Sequence, residues 1–380
     1  MHIVAGIWNQ IQSSLFPHLE QQFDEPLTEK LRQVVRILEV VRVEEHAVCW
    51  LDEQVLRRGP HRLDRRPLAR AFVVKAVYNF PTTEMLIERL LFDKTLRRIC
   101  GWERRYQVPS APTFSRVFAE FAAAKLGDDI HAALVETHIG ERIVLHISRD
   151  STAIEAREKP APKAEKEQRP PKGTGKPGRP KKGEVRVTTR AKSRLPQQVD
   201  QTAEEAIREL PIACDRGVKR DAKGYTRFWN GYKLHLDILH LDIADGGLPV
   251  TAITTSASMH DSQAAIPMAK RTSQRVIALY ELMDSAYDAQ LIRQTIEALG
   301  HKPIIDSNRR KTQAADAVPM DPATAQRFKE RTHAERANSR LKDEFGASNV
   351  RVRGHAKVHL HLMFGVITLF ADQLMKLFAT

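Results

Sequence analysis

Near residue 140 the chain changes its hydrophobic period, and no other feature restricts its fold as much. Before that point apolar side chains recur at helical spacing: Leu31, Val34, Val35 and Leu38; Ala69, Phe72, Val73, Ala76 and Val77; Phe114, Val117, Phe118 and Phe121. Steps of three and four place such residues on one stripe of a helix, so the first third is expected to be a set of amphipathic helices packed on each other. After it, Ile143, Val144, Leu145 and Ile147 lead into Asp150, while Tyr232, Leu234, Leu236 and Ile238 alternate with Lys233, His235 and Asp237. A period of two is that of a strand, with the polar set expected on the outward face. Residues 248–254 read as a third strand and 276–283 as a buried one that closes at Asp284. Helices follow at 289–299 and from Asp321, which can cap, with Pro322 suited to the first turn. The expectation is a mixed α/β core behind an all-helical N-terminal region.

Between the first two strands lies an interruption, residues 157–200, rich in proline, lysine and glycine. It holds 14 Lys and Arg against 5 Asp and Glu, so nine of the chain's net thirteen positive charges sit there. Such a composition cannot build a core and is expected to lack fixed structure without a partner. Within it, KPGRPKK (176–182) looks like an AT-hook, a short extended peptide whose arginine lies along the narrow minor groove of A·T-rich DNA. A solvated basic linker explains the same residues. Under either reading Arg179 and Lys181 attract phosphate in a salt-sensitive way.

A pI near 9.7 points to a polyanionic partner, because the positive charge is clustered. Cys49, Cys100 and Cys214 are few and far apart with no CxxC pair, which argues against both a zinc site and a disulfide framework; a reducing cytoplasm fits. The opening MHIVAGIWNQIQ lacks the basic start and long apolar run of a secretory signal. The longest apolar run, 362–371, stops at Asp372 and is expected to form a buried terminal helix and no membrane span. In LRRICGWERRYQVPSAPTFSRVF, Gly101 breaks one helix and Ser110 can cap the next, with Arg97, Arg98, Arg104, Arg105 and Arg116 around the break. A helix-turn-helix-like unit meeting a phosphate backbone and a bundle with a solvated basic face account for this equally.

Near the other end, Arg331, Glu335 and Lys342 recur at i, i+4 and i+11, within roughly 40° of one another on a helix. A carboxylate flanked by cations therefore lies downstream of Asp150 and Asp284, each closing an apolar stretch. Acids at the carboxyl ends of neighbouring strands converge, and three together can hold hard divalent ions over a phosphodiester. Taken singly, Asp150 and Asp284 read equally as caps, and Glu335 with Arg331 as an exposed ion pair. Lys233 and His235, on a strand face, are weaker candidates for DNA contact. His260 beside Asp261 either orders a metal site or caps a helix, and Trp229 either stacks on a base or fills the core.

Phe328, Arg331, Glu335 and Lys342 occupy the spacings of Tyr-x2-Arg-x3-Glu-x6-Lys, with Phe328 in the Tyr place. Together with IVLHISRDSTAI around Asp150, RFWNGYKLHL, TSASMHDSQA, LMDSAYDAQLI around Asp284, and the N-terminal LARAFVVKAVYNFPTTEMLIERL and VPSAPTFSRVFAEF, this resembles bacterial insertion-sequence transposases of the DDE superfamily. The resemblance implies a ribonuclease-H-like α/β fold, a mixed sheet flanked by helices, with Asp150, Asp284 and Glu335 as catalytic acids holding two Mg²⁺ (or Mn²⁺) ions. It implies DNA contact by Arg331 and Lys342, with Arg336 beside them. The expected layout is a helical DNA-binding domain (1–140), a catalytic core (141–156 and 201–346) split by the insertion 157–200, and a C-terminal helix (347–380). The implied activity is cleavage of element ends and joining of 3′ ends to target DNA, by a homo-oligomer on DNA, in a bacterial cytoplasm at the nucleoid and not on a membrane. A metal-dependent nuclease with the same core and a catalytically inactive DNA-binding relative remain as alternatives.

Overall fold

The computed structural model describes residues 27–52, 63–140, 142–162, 194–220, 224–240, 247–307 and 320–379; Arg179 and Lys181 lie outside them. Among the described residues seven helices come first: α1 (Glu29–Val41), α2 (Val43–Asp52), α3 (Arg66–Val77), α4 (Thr83–Phe92), α5 (Lys94–Cys100), α6 (Ala111–Ala123) and α7 (Leu126–His138). Thr28 caps α1 by accepting from the Leu31 amide, and Gly101, at φ 107°, ends α5 in a conformation that residues with a Cβ rarely adopt. Of the five arginines around that break, Arg97 is buried and donates to the carbonyls of Leu90 and Leu91, closing the end of α4; it is not available to phosphate. Arg98 pairs with Glu103, while Arg104, Arg105 and Arg116 are exposed.

Six strands form one mixed sheet: β1 (Ile143–Glu155), β2 (Asp215–Arg220), β3 (Thr226–His240), β4 (Gly247–Ser256), β5 (Ile277–Met283) and β6 (Lys302–Ile305). β1 is central, antiparallel to β3 and parallel to β5, with β6 beyond β5. β3 is long enough to pair first with β2 and then with β4, both antiparallel. The change of partner falls at Gly231, φ 149°, where a Cβ would stand 2.2 Å from the Ile154 carbonyl oxygen. Trp229 belongs to the core: it is buried, bonds the Tyr232 carbonyl through Nε1, and lies across Gly217 of β2.

Helices cover both faces. On one, α13 (Thr332–Asp343) and α14 (His355–Ala379) bury Ala334, Ala337, Leu341, Leu362 and Val366 against Ile154, Tyr232, Leu234 and Leu236. On the other lie α9 (Ala203–Arg208), α10 (Ser262–Ser273) and α11 (Gln290–Ala298), with α8 (Arg194–Asp200) beside α10 and α11. This two-sided cover corrects one expectation. The polar set of β3 does not face water: His235 and Asp237 are fully buried, and Lys233 donates to Asp261 at 2.9 Å and to the Met259 carbonyl. A period of two reports which residues share a face and not what lies over it.

Asp237 belongs to a buried network. Arg149 forks onto it through two 2.7 Å hydrogen bonds and reaches Glu281 at 3.0 Å; Glu281 is met by His301 and Asp237 by Thr272. Two further differences concern segments. The stretch 157–200 is not uniformly without structure, since residues 194–200 form α8, and Glu158 accepts from Tyr232 and from the Gly354 amide. The terminal apolar run extends into the 25-residue α14, of which His355–Leu377 is long and apolar enough to cross a membrane but is 83% buried inside the protein over its most apolar window. It packs on α3, α7, β4 and the aromatic cluster of Phe72, Phe118 and Phe364.

Candidate active site

Register brings the two aspartates together. β1 and β5 run parallel with Arg149 opposite Met283, so the next residue of each strand is an acid, Asp150 and Asp284. Asp150 does not end its strand as expected, because β1 continues to Glu155 on its pairing with β3. It is β5 that stops there, and Asp284 turns its carboxylate to the Ala286 amide to start a short 3-10 turn. The capping role and the proximity of the acids therefore coexist.

The third acid comes from α13. A helix α12 (Pro322–Phe328), capped by Asp321 at the Ala323 and Thr324 amides, runs through a 3-10 turn (Lys329–Arg331) into α13. Ala334, Ala337 and Leu341 press α13 onto the sheet, which presents Asn338 to β1; its Nδ2 donates to Asp150 Oδ2 at 3.0 Å. Glu335, one turn earlier, is half exposed and holds Arg331 at 2.5 Å, with the guanidinium over the Phe328 ring at 5.8 Å.

Charge is concentrated here. Burial, joined by Asp284 and Glu335 and opposed by the Ser151 amide and Arg331, pushes the Asp150 carboxyl up to about 6. Asp284 is raised first by burial and then by Asp261, with Arg331 and Lys219 opposing. Buried Tyr287 stands among Asp261, Asp150 and Asp284, which with burial hold its phenol well above the usual range. Asp261 remains ionised, drawn down by His235 and Lys233. His260, by contrast, is exposed and bonds Ser262 at the start of α10; it does not reach the acids.

The donor set suits a hard divalent cation: carboxylates from three elements, with the Asn338 Oδ1 buried and without a hydrogen-bond donor among the described residues. Among those residues only His240, Glu330 and His333 gather three ligand atoms within 4.8 Å of one another, so the three acids stand farther apart than that.

Cations border the acids from two sides. Lys342 is half-buried, its ammonium lowered by desolvation and then by Lys219 and Arg227. Those two lie on β2 and β3, a pair that also presents exposed Val218, Tyr225 and Phe228, the last under the Arg216 guanidinium at 4.6 Å. Arg336 is exposed on α13. Sequence reasoning missed Asn338, although it falls on the same stripe as Arg331 and Glu335 at i+7. It also missed Lys219 and Arg227, which only the pairing of β2 with β3 brings to this edge.

A central acid-bearing β1 with antiparallel β3 on one side, β2 and β4 antiparallel to β3 in turn, and parallel β5 and β6 on the other side is the arrangement of a ribonuclease-H-like fold. Residues 146–371, more than half of the chain, match the family described as Transposase DDE domain, and residues 18–120 match Transposase domain (DUF772). No curated protein and no solved structure matches the chain. The chain belongs to the DDE-domain transposases of insertion sequences, a family that acts on DNA and uses divalent metal.

Proposed function

We propose that this transposase cuts the ends of its element and joins the freed 3′ ends to target DNA, using Asp150, Asp284 and Glu335 as the catalytic acids. The observation that carries the proposal is the parallel register of β1 and β5, which sets Asp150 beside Asp284, with α13 docked on β1 through the Asn338–Asp150 hydrogen bond. In the first step a water oxygen bonds to phosphorus as the P–O3′ bond breaks, leaving a 3′-hydroxyl. In the second, that 3′-oxygen attacks a target phosphodiester and displaces another 3′-oxygen, so no protein nucleophile is consumed. Two bound Mg²⁺ ions, or Mn²⁺, would activate the attacking oxygen and neutralise the leaving one. Asp150 and Asp284 are the fixed ligands, held by Asn338 and the Ala286 amide. Glu335 would leave Arg331 to complete the set, freeing that guanidinium for phosphate. Two ends cut in concert call for a homo-oligomer on DNA, in the cytoplasm at the nucleoid.

Mg²⁺-dependent strand transfer on DNA carrying the inverted repeats that flank the reading frame tests this. Joined products support it; cutting without joining would make the chain a nuclease. Binding without either would make it an inactive relative, the reading that Phe328 in the Tyr place favours.

Acid should weaken metal binding. Since the folded Asp150 carboxyl lies above its ordinary value of 3.8, this group favours folding at low pH, and its contribution is lost as pH rises through about 6. Mg²⁺ bound to the ionised acid offsets that loss. The rise in melting temperature on adding Mg²⁺ should be small at about pH 5 and full by about pH 7.5; a rise of equal size at both would remove Asp150 from the ligand set.

Lys219 and Lys342 are assigned to the DNA backbone. Replacing either with Ala should weaken binding about equally across DNA sequences and lower the slope of log K against log salt by about 1. Fluorescence anisotropy over a salt series reads this, and an unchanged slope would take that residue out of the interface.

A further inference from the structure

A second cluster of ligating groups lies next to the acids and shares no residue with them. His240 ends β3, Ser148 sits two residues before Asp150 on β1, and Glu330 and His333 belong to the turn and first residues of α13. His240 Nδ1 and His333 Nε2 stand 3.5 and 3.2 Å from the same oxygen, Glu330 Oε2, and the two rings are 4.0 Å apart between centroids.

Hydrogen bonding favours Nδ1 of His240 as the ligating nitrogen. The Ser148 hydroxyl donates to the Glu330 carbonyl at 3.4 Å, so it accepts from His240 Nε2 at 2.9 Å. Nε2 then carries the proton, and Nδ1 turns a lone pair toward a carboxylate oxygen. A protonated His333 would account for its own contact with Glu330, but not for an acceptor nitrogen aimed at the same oxygen. A cation between them does. Tetrahedral Zn²⁺, with bonds of about 2.0–2.2 Å, spaces its ligand atoms about 3.3–3.5 Å apart.

We propose that His240, Glu330 and His333 form a Zn²⁺ site, with Ser148 orienting His240 and a fourth position open to solvent. The chemistry separates this site from the acids. Two imidazoles and a carboxylate favour zinc, whereas the all-oxygen set around Asp150 favours Mg²⁺. Exposure fits an open position: the His240 and His333 side chains are 5% and 13% exposed and Glu330 is 40%. The ion would bind the turn Lys329–Arg331 and the start of α13, which carry Arg331 and Glu335, to the end of β3 and, through Ser148, to the middle of β1. It is a positioning site for the third acid.

Metal-stripped full-length protein titrated with Zn²⁺ alone, against a chromophoric chelator, tests this. The expected result is one tight equivalent per chain, unaffected by excess Mg²⁺ and retained by the D150A/D284A variant. His333→Ala should abolish that equivalent, and Ser148→Ala should weaken it about 10- to 100-fold, as loss of a ligand-orienting hydrogen bond does. Zn²⁺ should raise the melting temperature of the parent chain and not of His333→Ala, whose melting curve also reports whether it folds. Binding that is substoichiometric, that persists in His333→Ala, or that disappears in D150A/D284A overturns the site. None of these readouts needs DNA, so they stand apart from strand transfer.

Discussion

Asp284→Ala is expected to abolish end cleavage and strand transfer while leaving DNA binding intact. Asp284 is half of the aspartate pair that the parallel register of β1 and β5 creates, and its charge opposes that of Asp150 across the site. Metal bound there supplies several kcal/mol of transition-state stabilisation, so losing a ligand should cost about 10³-fold or more in rate. The binding surface assigned to Lys219, Lys342 and Arg331 is untouched by the change. Gel-shift affinity within about twofold of the parent, beside a rate below detection, is the expected pair of results. Cleavage at the parental rate would end the assignment of Asp284. Loss of binding together with activity would mean that the variant had misfolded, which Asp284→Asn, keeping the hydrogen bond to the Ala286 amide, would separate.

Arg149→Met should be the most destabilising single change under the site. The guanidinium is fully buried and satisfies two buried carboxylates, so removing it leaves Asp237 with Thr272 and Glu281 with His301 but without their shared guanidinium in a low-dielectric interior. Breaking a buried pair in this way costs about 3–5 kcal/mol. Urea denaturation should show that loss as a shift in midpoint at constant slope. Changing Arg149 to Met together with Asp237→Leu and Glu281→Leu should recover most of it, because apolar groups of similar volume have no charge to desolvate. A single-variant loss below about 1 kcal/mol would show that water reaches the network.

Local signals in the sequence were strong where one element decides the outcome. The helical stripes of α1, α3 and α6, the break at Gly101, the cap at Asp321 and the α13 face bearing Arg331 and Glu335 all depend on residues within a few positions of each other. The three proposed acids stand out in the sequence because two follow apolar strands and the third sits in a spaced signature. What was not legible depended on neighbours distant in sequence. Lys233, His235 and Asp237 read as a wet strand face, and only α10 lying over them makes them an interior network. Asp150 read as the end of a strand, yet the partner that stops there is β5. Lys219 carries no motif, Arg227 opens RFWNGYKLHL with no signal of its own, and His240 and His333 are 93 positions apart, meeting only because the end of β3 passes under the start of α13.

The N-terminal helices do not own a private interior. Leu38, Phe72, Phe114 and Leu134 share one continuous apolar cluster with Val144, Ile147, Leu239 and Leu248 at one end of the sheet and with Phe364, Ile367 and Phe370 of α14. Severing the chain at residue 141 would therefore give two fragments with greasy, uncovered flanks, neither suited to life alone. A force applied by DNA to the helical half would be transmitted through packed side chains to β1, the strand that carries the first acid. Helices and sheet are mechanically one body.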